Sequence, residues 1–251
     1  MSDKVVELSK IKVACKDCSL FQLCLPMGLE SDDLEKLDVI IKRRRPVKRG
    51  EDLFRVGDGF RSIYAVRSGS IKTFSPTQDG QEQVTGFHLT GELLGLDAIS
   101  NNYHPCTATA LETTSVCEIP FERLEELGHQ IPSLQRQLFR VMSREIFTEE
   151  NHTLLLGKRN AEERLAAFLL SVSNRFKSRG FSPNEYNLSM SRNDIGNYLG
   201  LAVETVSRMF TRFQESGLLT VERKHVVIHD LDRLHDMAGS SRSSGNTRSS
   251  G

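Results

Sequence analysis

Three cysteines lie within ten residues near the start of the chain: Cys15, Cys18 and Cys24. Their C-x2-C-x5-C spacing lets two thiolates from one turn reach the same metal ion or iron–sulfur cluster. A tetrahedral or cubane site needs four such ligands, so one ligand is missing locally. The candidates are Cys106 and Cys117, the two remaining cysteines. A fourth ligand so remote would tie the N-terminal segment to a folded domain, which suits a sensor better than a catalyst.

The spacing of these cysteines leaves their chemistry open. Accidental clustering is one alternative, although such density is unusual in a chain with five cysteines. Structural zinc is a stronger alternative, because C-x2-C is common in zinc sites. Zinc sites usually supply a second close pair of cysteines, however, and this sequence contains none. The spacing therefore slightly favours an iron–sulfur site over zinc without deciding between them.

Composition narrows the class of protein. The 251 residues suffice for one large or two modest domains, and the 33 basic and 33 acidic residues cancel. No run of about 18 apolar residues occurs, and residues 1–13 lack the apolar core of a signal peptide. We therefore expect a soluble, cytoplasmic protein with no membrane partner. In that reducing compartment, five cysteines favour metal binding over disulfides.

The elements that would position the cysteines begin with a short helix at residues 31–41, capped by Ser31. The basic run 42–50 follows, and its place between a helix and a strand pattern favours a solvated edge over a nucleic-acid signal. Short β segments punctuated by glycine fill residues 50–119, which indicates a sandwich, barrel or jelly roll. The expected strands are 53–56, 62–74, 83–89, 106–110 and 115–119.

A short helix at 121–127 precedes one long helix at 131–156. The long helix carries two apolar faces, which suggests docking on the β domain together with a coiled-coil partner. The alternative is a helix buried on both sides within one chain. The docking face contains Leu134, Leu138 and Val141. The candidate dimer seam contains Phe139, Met142, Ile146, Glu149, Thr153 and Leu156, with Glu149 as a carboxylate in an apolar seam.

A basic module follows, since residues 158–225 carry 11 Lys and Arg against 7 Asp and Glu, a net charge of +4. Ser191 and Asp194 form a capping-box pattern, Gly200 provides a tight turn, and residues 202–215 form a second helix. This is the helix-turn-helix pattern. The segments 218–221 and 226–228 flank residues 222–225 as a β-hairpin wing.

The second helix of this module would present its polar side to DNA. Arg208 can bond guanine and Glu204 can accept from cytosine, while Val203 and Ser207 would meet thymines. The alternative is an exposed i,i+4 salt bridge between Glu204 and Arg208 on an ordinary helix. Arg212 is expected on the same exposed side, and Lys224 of the wing is placed for a phosphate.

The order of these elements and several of their segments resemble a known protein family. The order of β-roll, long helix and winged helix-turn-helix is similar to the CRP/FNR superfamily of bacterial transcription regulators. The resemblance extends from Cys15 to Ile228, and the cysteine spacing is close to that of the FNR branch. The segments that carry it are 64–72, 91–95, 115–121, 194–201 and 203–208.

The resemblance implies a global, oxygen-responsive regulator that activates or represses transcription under anaerobic conditions. It implies a [4Fe-4S] cluster held by Cys15, Cys18, Cys24 and Cys117, with Cys106 outside the matching pattern. In such proteins the intact cluster stabilises a homodimer that binds TTGAT-N4-ATCAA-type palindromes, and oxygen degrades the cluster and releases the DNA. The loop 77–81 resembles a surface that touches RNA polymerase, although Gln81 departs from the acid often found there.

Three rivals remain to be compared with this interpretation. A constitutive DNA binder with a structural zinc site is one. An iron–sulfur enzyme is another, but the sequence shows neither a C-x3-C-x2-C radical motif nor a phosphate-binding loop, so we expect no enzyme. The superfamily's cyclic AMP binders need a Gly-Glu-Leu and a downstream Arg-Ser. Gly95-Leu96-Asp97 and Cys106-Thr107 stand there instead, so no cyclic nucleotide is expected.

The expected architecture is an α+β chain with an N-terminal β-roll (jelly-roll-like) sensor domain, a long dimerisation helix and a C-terminal winged helix-turn-helix. Its expected parts are a cluster-binding loop at 1–28, the β-roll at 29–130, the dimerisation helix at 131–158, the DNA-binding domain at 159–238 and a disordered Ser/Gly/Arg tail at 239–251.

Overall fold

The computed structural model of the protein describes residues 15, 18, 20, 24, 25, 28–77 and 79–239. Most of the expected N-terminal loop, Gln78 and the tail 240–251 lie outside these residues. The chain divides into two compact units between Asn151 and His152. In the described ranges, no helix combines the length and the apolar character that crossing a membrane would need.

Helix α1 (Ser31–Ile40) opens the first unit, and eight short strands follow it. They are β1 Lys42–Arg43, β2 Asp52–Phe54, β3 Ser62–Ser68, β4 Ser70–Pro76, β5 Glu82–Leu89, β6 Leu93–Leu94, β7 Thr107–Ala110 and β8 Ser115–Pro120. They form two four-stranded antiparallel sheets, in the orders β1-β8-β3-β6 and β2-β7-β4-β5. The glycine-punctuated β pattern therefore predicted this part of the fold correctly.

Strand β3 is buried on both of its faces. Ile63 and Ala65 belong to a core cluster that includes residues of α1, whereas Tyr64 and Val66 belong to a second cluster with Ile71 of β4. Successive side chains of a strand point to opposite faces, so this alternation places one core on each side of the sheet. The sheet that contains β8 is thereby held rigidly in the middle of the unit.

Two details of the first unit correct the sequence-based expectations. The single strand expected at 62–74 is broken at Gly69, which has a φ of +85°. A Cβ at Gly69 would lie 2.5 Å from Thr114 Oγ1, so glycine is required there both by conformation and by space. Ser31 does not cap α1, because the helix begins at Ser31 and Glu30 occupies the cap position without a side-chain hydrogen bond.

Helices α2 (Phe121–Gln130) and α3 (Pro132–Lys158) end the first unit, and α3 continues into the second. Pro132 is the first residue of α3, where its missing N–H costs no helical hydrogen bond. Leu134 is buried in the core cluster that contains α1, and Leu138 and Val141 pack against that cluster. The prediction of a docking face on this helix is confirmed.

The second unit combines four further helices with a three-stranded sheet of order β10-β11-β9. Its elements are α4 Ala161–Lys177, β9 Glu185–Asn187, α5 Arg192–Leu199, α6 Val203–Glu215, β10 Leu219–Glu222, β11 His225–Ile228 and α7 Leu231–Met237. The winged helix-turn-helix is confirmed, while β9 and α7 were not predicted. The two-residue turn of the wing contains Arg223, whose φ of 59° is unusual for a residue other than glycine.

Candidate functional site

One cavity of the first unit is lined by four cysteines: Cys15, Cys18, Cys24 and Cys117. These are the four that the resemblance singles out. Apolar side chains complete much of the wall, together with the cation of Arg67. The apolar lining residues are Leu20, Leu25, Leu37, Ile41, Ala65, Val66 and Ile119.

Cys106 lies apart from this cavity. It is buried in the second core cluster, and its thiol donates to Asp97 Oδ2 at 3.4 Å. Burial, the first cause, and the negative charge of Asp97 both raise the pKa of this thiol. A buried cysteine of this kind behaves as a small apolar side chain with an inert thiol. The structure thus separates Cys106 from the other four cysteines.

Backbone contacts fix the positions of three of the four cysteines. Cys117 occupies β8, opposite Ala65 of β3 on one side and Arg43 of β1 on the other. The backbone N–H of Cys15 donates to Asp38 Oδ1 of α1 at 3.0 Å. Cys18 follows through its backbone N–H, which donates to the carbonyl of Cys15 at 3.2 Å. A strand of the sheet and a side chain of α1 therefore position ligands that lie far apart in the sequence of the first unit.

The thiols influence one another's ionisation, which is a further sign that they lie close together. Burial raises the pKa of Cys15 and of Cys24 to about 12. Negative charge on neighbouring thiols adds to the rise: Cys117 and Cys24 act on Cys15, while Cys117 and Cys18 act on Cys24. Cys15 and Cys24 are therefore neutral near pH 7, and coordination of a metal by these thiols would release protons.

The pKa of Cys117 is also raised by burial, but two cations oppose the rise. Arg43 has the larger opposing effect and Arg67 the smaller. Positive charge next to a thiol favours its thiolate form, which is the form that binds metals. The cavity thus combines soft donors, apolar walls and nearby positive charge. These residues fit a thiolate-bound iron–sulfur group.

The donors do not converge on one point. Within the described residues, no three His, Cys, Asp or Glu side chains are close enough together to hold a single metal ion. The four thiols instead surround a shared space. In a [4Fe-4S] cluster each of four cysteines binds a different iron atom, so the donors surround the group in this way.

The candidate dimer seam follows the outer side of α3. Phe139 and Ile146 are 58% and 61% exposed, and the side chains of Met142 and Leu156 are half-buried. Thr153 and Glu149 are exposed. The exposure of Phe139 and Ile146 argues against a helix buried on both sides within one chain. A row of exposed apolar side chains is typical of an association surface.

Two more exposed apolar residues on α3 escaped the sequence-based seam: Phe147 and Leu154. They are seven residues apart and so share one side of the helix, beside the predicted seam. Their spacing of seven residues, which is two helical turns, was visible in the sequence. The apolar surface of the helix is therefore wider than one coiled-coil seam.

The carboxyl of Glu149 has a raised pKa. Desolvation by its surroundings is the first cause, and the negative charge of Asp97 adds to it. Both causes disfavour the ionised form. The ionised form of this carboxyl is thus less favoured than in a free glutamate.

The helix-turn-helix is built by local capping and by one close approach. Ser191 and Asp194 form the expected capping box at the start of α5, and Gly200 ends the helix with a φ of 63°. A Cβ on Gly196 would lie 2.7 Å from the carbonyl oxygen of Leu201, so glycine lets the turn pack tightly on α5. Sequence reasoning missed this role, although a glycine inside a helix is a signal of close packing.

The side of α6 that faces away from its core carries the candidate base-reading residues. Val206 and Phe210 are buried, while Glu204, Ser207 and Arg208 are exposed and Val203 is half-buried. Arg212 is also exposed but forms an ion pair with Glu162 of α4, with Nη1 3.3 Å from Oε2. Lys224 is exposed in the turn of the wing. Arg212 is therefore engaged within its own unit, whereas Arg208 lies on the open side.

Sequence reasoning also missed Arg164, whose guanidinium closes two helix ends. It donates to the carbonyls of Leu156 at 2.7 Å, near the end of α3, and of Leu199 at 3.0 Å, at the end of α5. A third bond reaches the carbonyl of Arg159 at 2.9 Å. Arginine near unpaired helical carbonyls is a stabilising arrangement. No local pattern identifies all of these partners, because Leu199 lies 35 residues away in the sequence.

Comparison with known protein families gives two matches. A Crp-like helix-turn-helix domain matches residues 163–237, and a cyclic nucleotide-binding domain matches residues 44–130. The chain is 58% identical over 241 residues to the transcriptional activator protein Anr of Pseudomonas protegens, covering 96% of this chain and 99% of that protein. It is 52% identical over 230 residues to the fumarate and nitrate reduction regulatory protein of Escherichia coli K12, covering 92% of each.

Solved structures give the same result. The structure of FixK2 from Bradyrhizobium japonicum matches with a TM-score of 0.74 and 30% identity, covering 80% of this chain and 99% of that one. A putative cAMP-binding regulatory protein from Silicibacter pomeroyi matches with a TM-score of 0.62 and 25% identity, covering 90% of this chain and 99% of that one.

Proposed function

The chain belongs to the FNR branch of the CRP/FNR family of transcription regulators, and we propose that it is an oxygen-responsive global regulator holding a [4Fe-4S] cluster on Cys15, Cys18, Cys24 and Cys117. The single observation that carries the proposal is that these four thiols line one cavity while Cys106 does not. When bound, the cluster would join the four cysteine thiolates, and oxygen would degrade the cluster and so separate them. The chain is a DNA-binding regulator rather than an enzyme, as its relatives indicate.

The proposed response depends on dimerisation through α3. The exposed side chains of Phe139 and Ile146 would pack against those of a second copy, with Met142, Thr153 and Leu156 along the same seam. The charge of Glu149 weakens this association. Ordering of the cysteine segment near the start of the seam would favour the dimer, and its release would favour the monomer.

A structural zinc site is the second candidate for the cysteines. The relatives' names and the four thiols around one space favour the iron–sulfur group, because a single zinc ion needs its ligands converged on one point. Zinc without iron in protein purified anaerobically would reverse this preference.

No cyclic nucleotide is part of the proposal, although a cyclic nucleotide-binding domain matches this region. The short helix Leu96–Ala98 carries the carboxylate of Asp97, which accepts a hydrogen bond from Cys106. The phosphate of a nucleotide would meet negative charge here instead of the arginine that the cyclic AMP binders use. A dimer that binds DNA without added nucleotide is the expected behaviour.

RNA polymerase is a further proposed partner. Of the loop around residues 77–81, Thr77 and residues 79–81 are exposed, and the backbone N–H of Thr77 donates to the carbonyl of Gln81 at 2.7 Å. The Thr77 hydroxyl donates to the carboxylate of Asp79. These bonds hold the turn in one shape and leave the side chain of Gln81 exposed for a partner.

For DNA, we propose that α6 enters the major groove of TTGAT-N4-ATCAA-type palindromes. A dimer would then cover two half-sites whose centres lie about 10–10.5 base pairs apart. Arg208 would bond guanine and Glu204 the cytosine side of a pair, while Val203 and Ser207 would meet thymines. Lys224, in the wing, would contact a phosphate. Arg212 would contact the DNA at the edge of this surface, either after its ion pair with Glu162 breaks or with the ion pair intact.

The experiment that tests the function compares DNA binding by one sample before and after exposure to air. Protein purified under argon should bind a fluorescent palindrome as a dimer, and air should remove the binding together with the iron. Equal binding in both conditions would contradict an oxygen-responsive regulator. A duplex with scrambled half-sites is the control for non-specific binding.

Replacing Arg208 by alanine should cost roughly 1–3 kcal/mol of binding free energy and relax the preference at a single G·C position.

Lys224→Ala should weaken binding to all sequences alike and flatten the salt dependence, because it removes one phosphate contact. Titration of cluster-loaded protein under argon against single-base variants of the palindrome measures both effects. A uniform loss for Arg208→Ala, with base preference unchanged, would move Arg208 from the bases to the backbone.

A further inference from the structure

The basic run at residues 42–50, expected to form a solvated edge, has a structural role at its start. Lys42 and Arg43 form β1, which pairs antiparallel with β8 at the edge of the sheet. Arg43 lies opposite Cys117, and Lys42 lies opposite Glu118. The run therefore begins beside the candidate ligand that is most remote from the other three.

Arg43 also contacts Asp38, the residue of α1 that binds the backbone of Cys15. Its Nη2 donates to Asp38 Oδ1 at 2.6 Å, in an ion pair whose side chains are 21% and 26% exposed. The same Oδ1 atom accepts the backbone N–H of Cys15 at 3.0 Å. A continuous path of contacts thus runs from Cys15 through Asp38 and Arg43 to the strand pair that contains Cys117.

The other face of β8 is held by a second ion pair. Arg44 contacts Glu118, which is buried and also accepts a hydrogen bond from Ser62 Oγ at 3.1 Å. Neighbouring residues of a strand point to opposite faces, so Glu118 with Arg44 lies on the face of β8 that is turned away from the side chain of Cys117. Consecutive arginines of one run therefore contact β8 in two ways, Arg43 through strand pairing and Arg44 through an ion pair.

We infer that Asp38 and Arg43 are positioning residues of the cluster site, which hold Cys15 and Cys117 together across 102 residues of sequence. The inference rests on the proposed function, because it concerns the same four thiols. Asp38 fixes the backbone of the first ligand through a hydrogen bond. Arg43 forms an ion pair with Asp38 and brings a positive charge next to Cys117. Groups that orient the ligands of a metal site in this way strongly affect its occupancy.

The first test measures the iron and sulfide content of full-length protein after anaerobic loading. We expect Arg43→Ala and Asp38→Ala to lower both contents about 10-fold or more. Loss of a residue that orients the ligands of a metal site typically weakens metal binding by this amount. Arg43→Lys should recover part of the content, since it keeps the charge and one donor group. Arg45→Ala is the matched control, because Arg45 belongs to the same run and is exposed. It should load like the wild type.

The second test uses cluster-free protein and so does not depend on loading. Labelling with 15N-cysteine gives one amide signal for each of the five cysteines. Hydrogen exchange of the Cys15 amide should accelerate several-fold in Arg43→Ala and Asp38→Ala, because its acceptor is displaced or lost. The Cys117 amide, within β8, should keep its wild-type exchange rate. Acceleration of both signals would mark general unfolding and would overturn a positioning role.

The outcomes separate this inference from the proposed function. Wild-type protein that takes up no iron would overturn the proposed function and this inference with it. Loaded wild type together with an equally loaded Arg43→Ala would overturn this inference alone. Unchanged exchange of the Cys15 amide in both variants would do the same.

Discussion

Replacing Cys117 by alanine should leave anaerobically purified protein with less than about a tenth of the wild-type iron and sulfide. Cys117 is the single cavity cysteine that comes from the sheet rather than from the N-terminal segment. The other three ligands would then have no partner ligand in the sheet, and one iron atom would be open to solvent. Cys18→Ala should have an equally large effect. Elemental analysis under argon measures both.

Cys106→Ser is the matched control for Cys117. It changes a buried thiol that lies just before β7, in the other sheet, while keeping a hydrogen-bond donor for Asp97. Because Cys106 belongs to the second core cluster, outside the cavity, this variant should keep the full iron content. A Cys117 variant with unchanged iron, or a Cys106 variant without iron, would show that the ligand set is wrong.

Replacing Glu149 by alanine should strengthen the dimer of the air-exposed, cluster-free protein. Two copies of Glu149 would meet near the axis of the paired helices, where repulsion and partial desolvation cost on the order of 1–3 kcal/mol. The raised pKa of this carboxyl shows that its charge is already disfavoured in one chain. The dimer dissociation constant in air should therefore fall by about 5- to 150-fold, since 1.4 kcal/mol corresponds to a factor of ten.

Sedimentation velocity over a range of protein concentrations measures this effect. Glu150→Ala is the matched control, because it removes the same charge from the adjacent exposed position of α3. An unchanged concentration dependence for Glu149→Ala would show that Glu149 does not weaken the dimer. An equal gain from Glu150→Ala would assign the effect to net charge instead of to the seam.

Features encoded by neighbouring residues could be predicted from the sequence. Ser191, Asp194 and Gly200 lie within ten residues and define the first helix of the DNA-binding motif by capping chemistry, which the structure reproduces. The docking face of α3 followed from helical spacing in the same way. Such patterns depend on local geometry, so they need no knowledge of the tertiary fold.

Features that depend on remote partners could not be predicted. Strand β1 contains two residues, and it is a strand only because β8 lies beside it. Arg44 belongs to a run of similar side chains, yet its acceptor Glu118 lies 74 residues further along the chain. The ion pair of Arg212 with Glu162 joins two helices in the same manner. Sequence alone gives no means of choosing among the carboxylates for any of these arginines.

The four cysteines lie between these two cases. The close spacing of Cys15, Cys18 and Cys24 was visible at once, but the choice of Cys117 over Cys106 came from the family resemblance. The structure supplies a physical reason for that choice, because β8 borders the cavity and Cys106 faces the other core cluster. Side-chain direction in a sheet depends on register, which the spacing of the cysteines does not encode.

The most direct test of the central claim is the metal and sulfide content of wild-type protein purified under argon, measured on the sample whose DNA binding is then followed in air. We expect about four iron and four sulfide per chain, as the composition of the cluster requires. Loss of DNA binding should follow loss of iron at the same rate. Zinc in place of iron, or DNA binding that persists after the iron has gone, would contradict an oxygen-responsive cluster on these four cysteines.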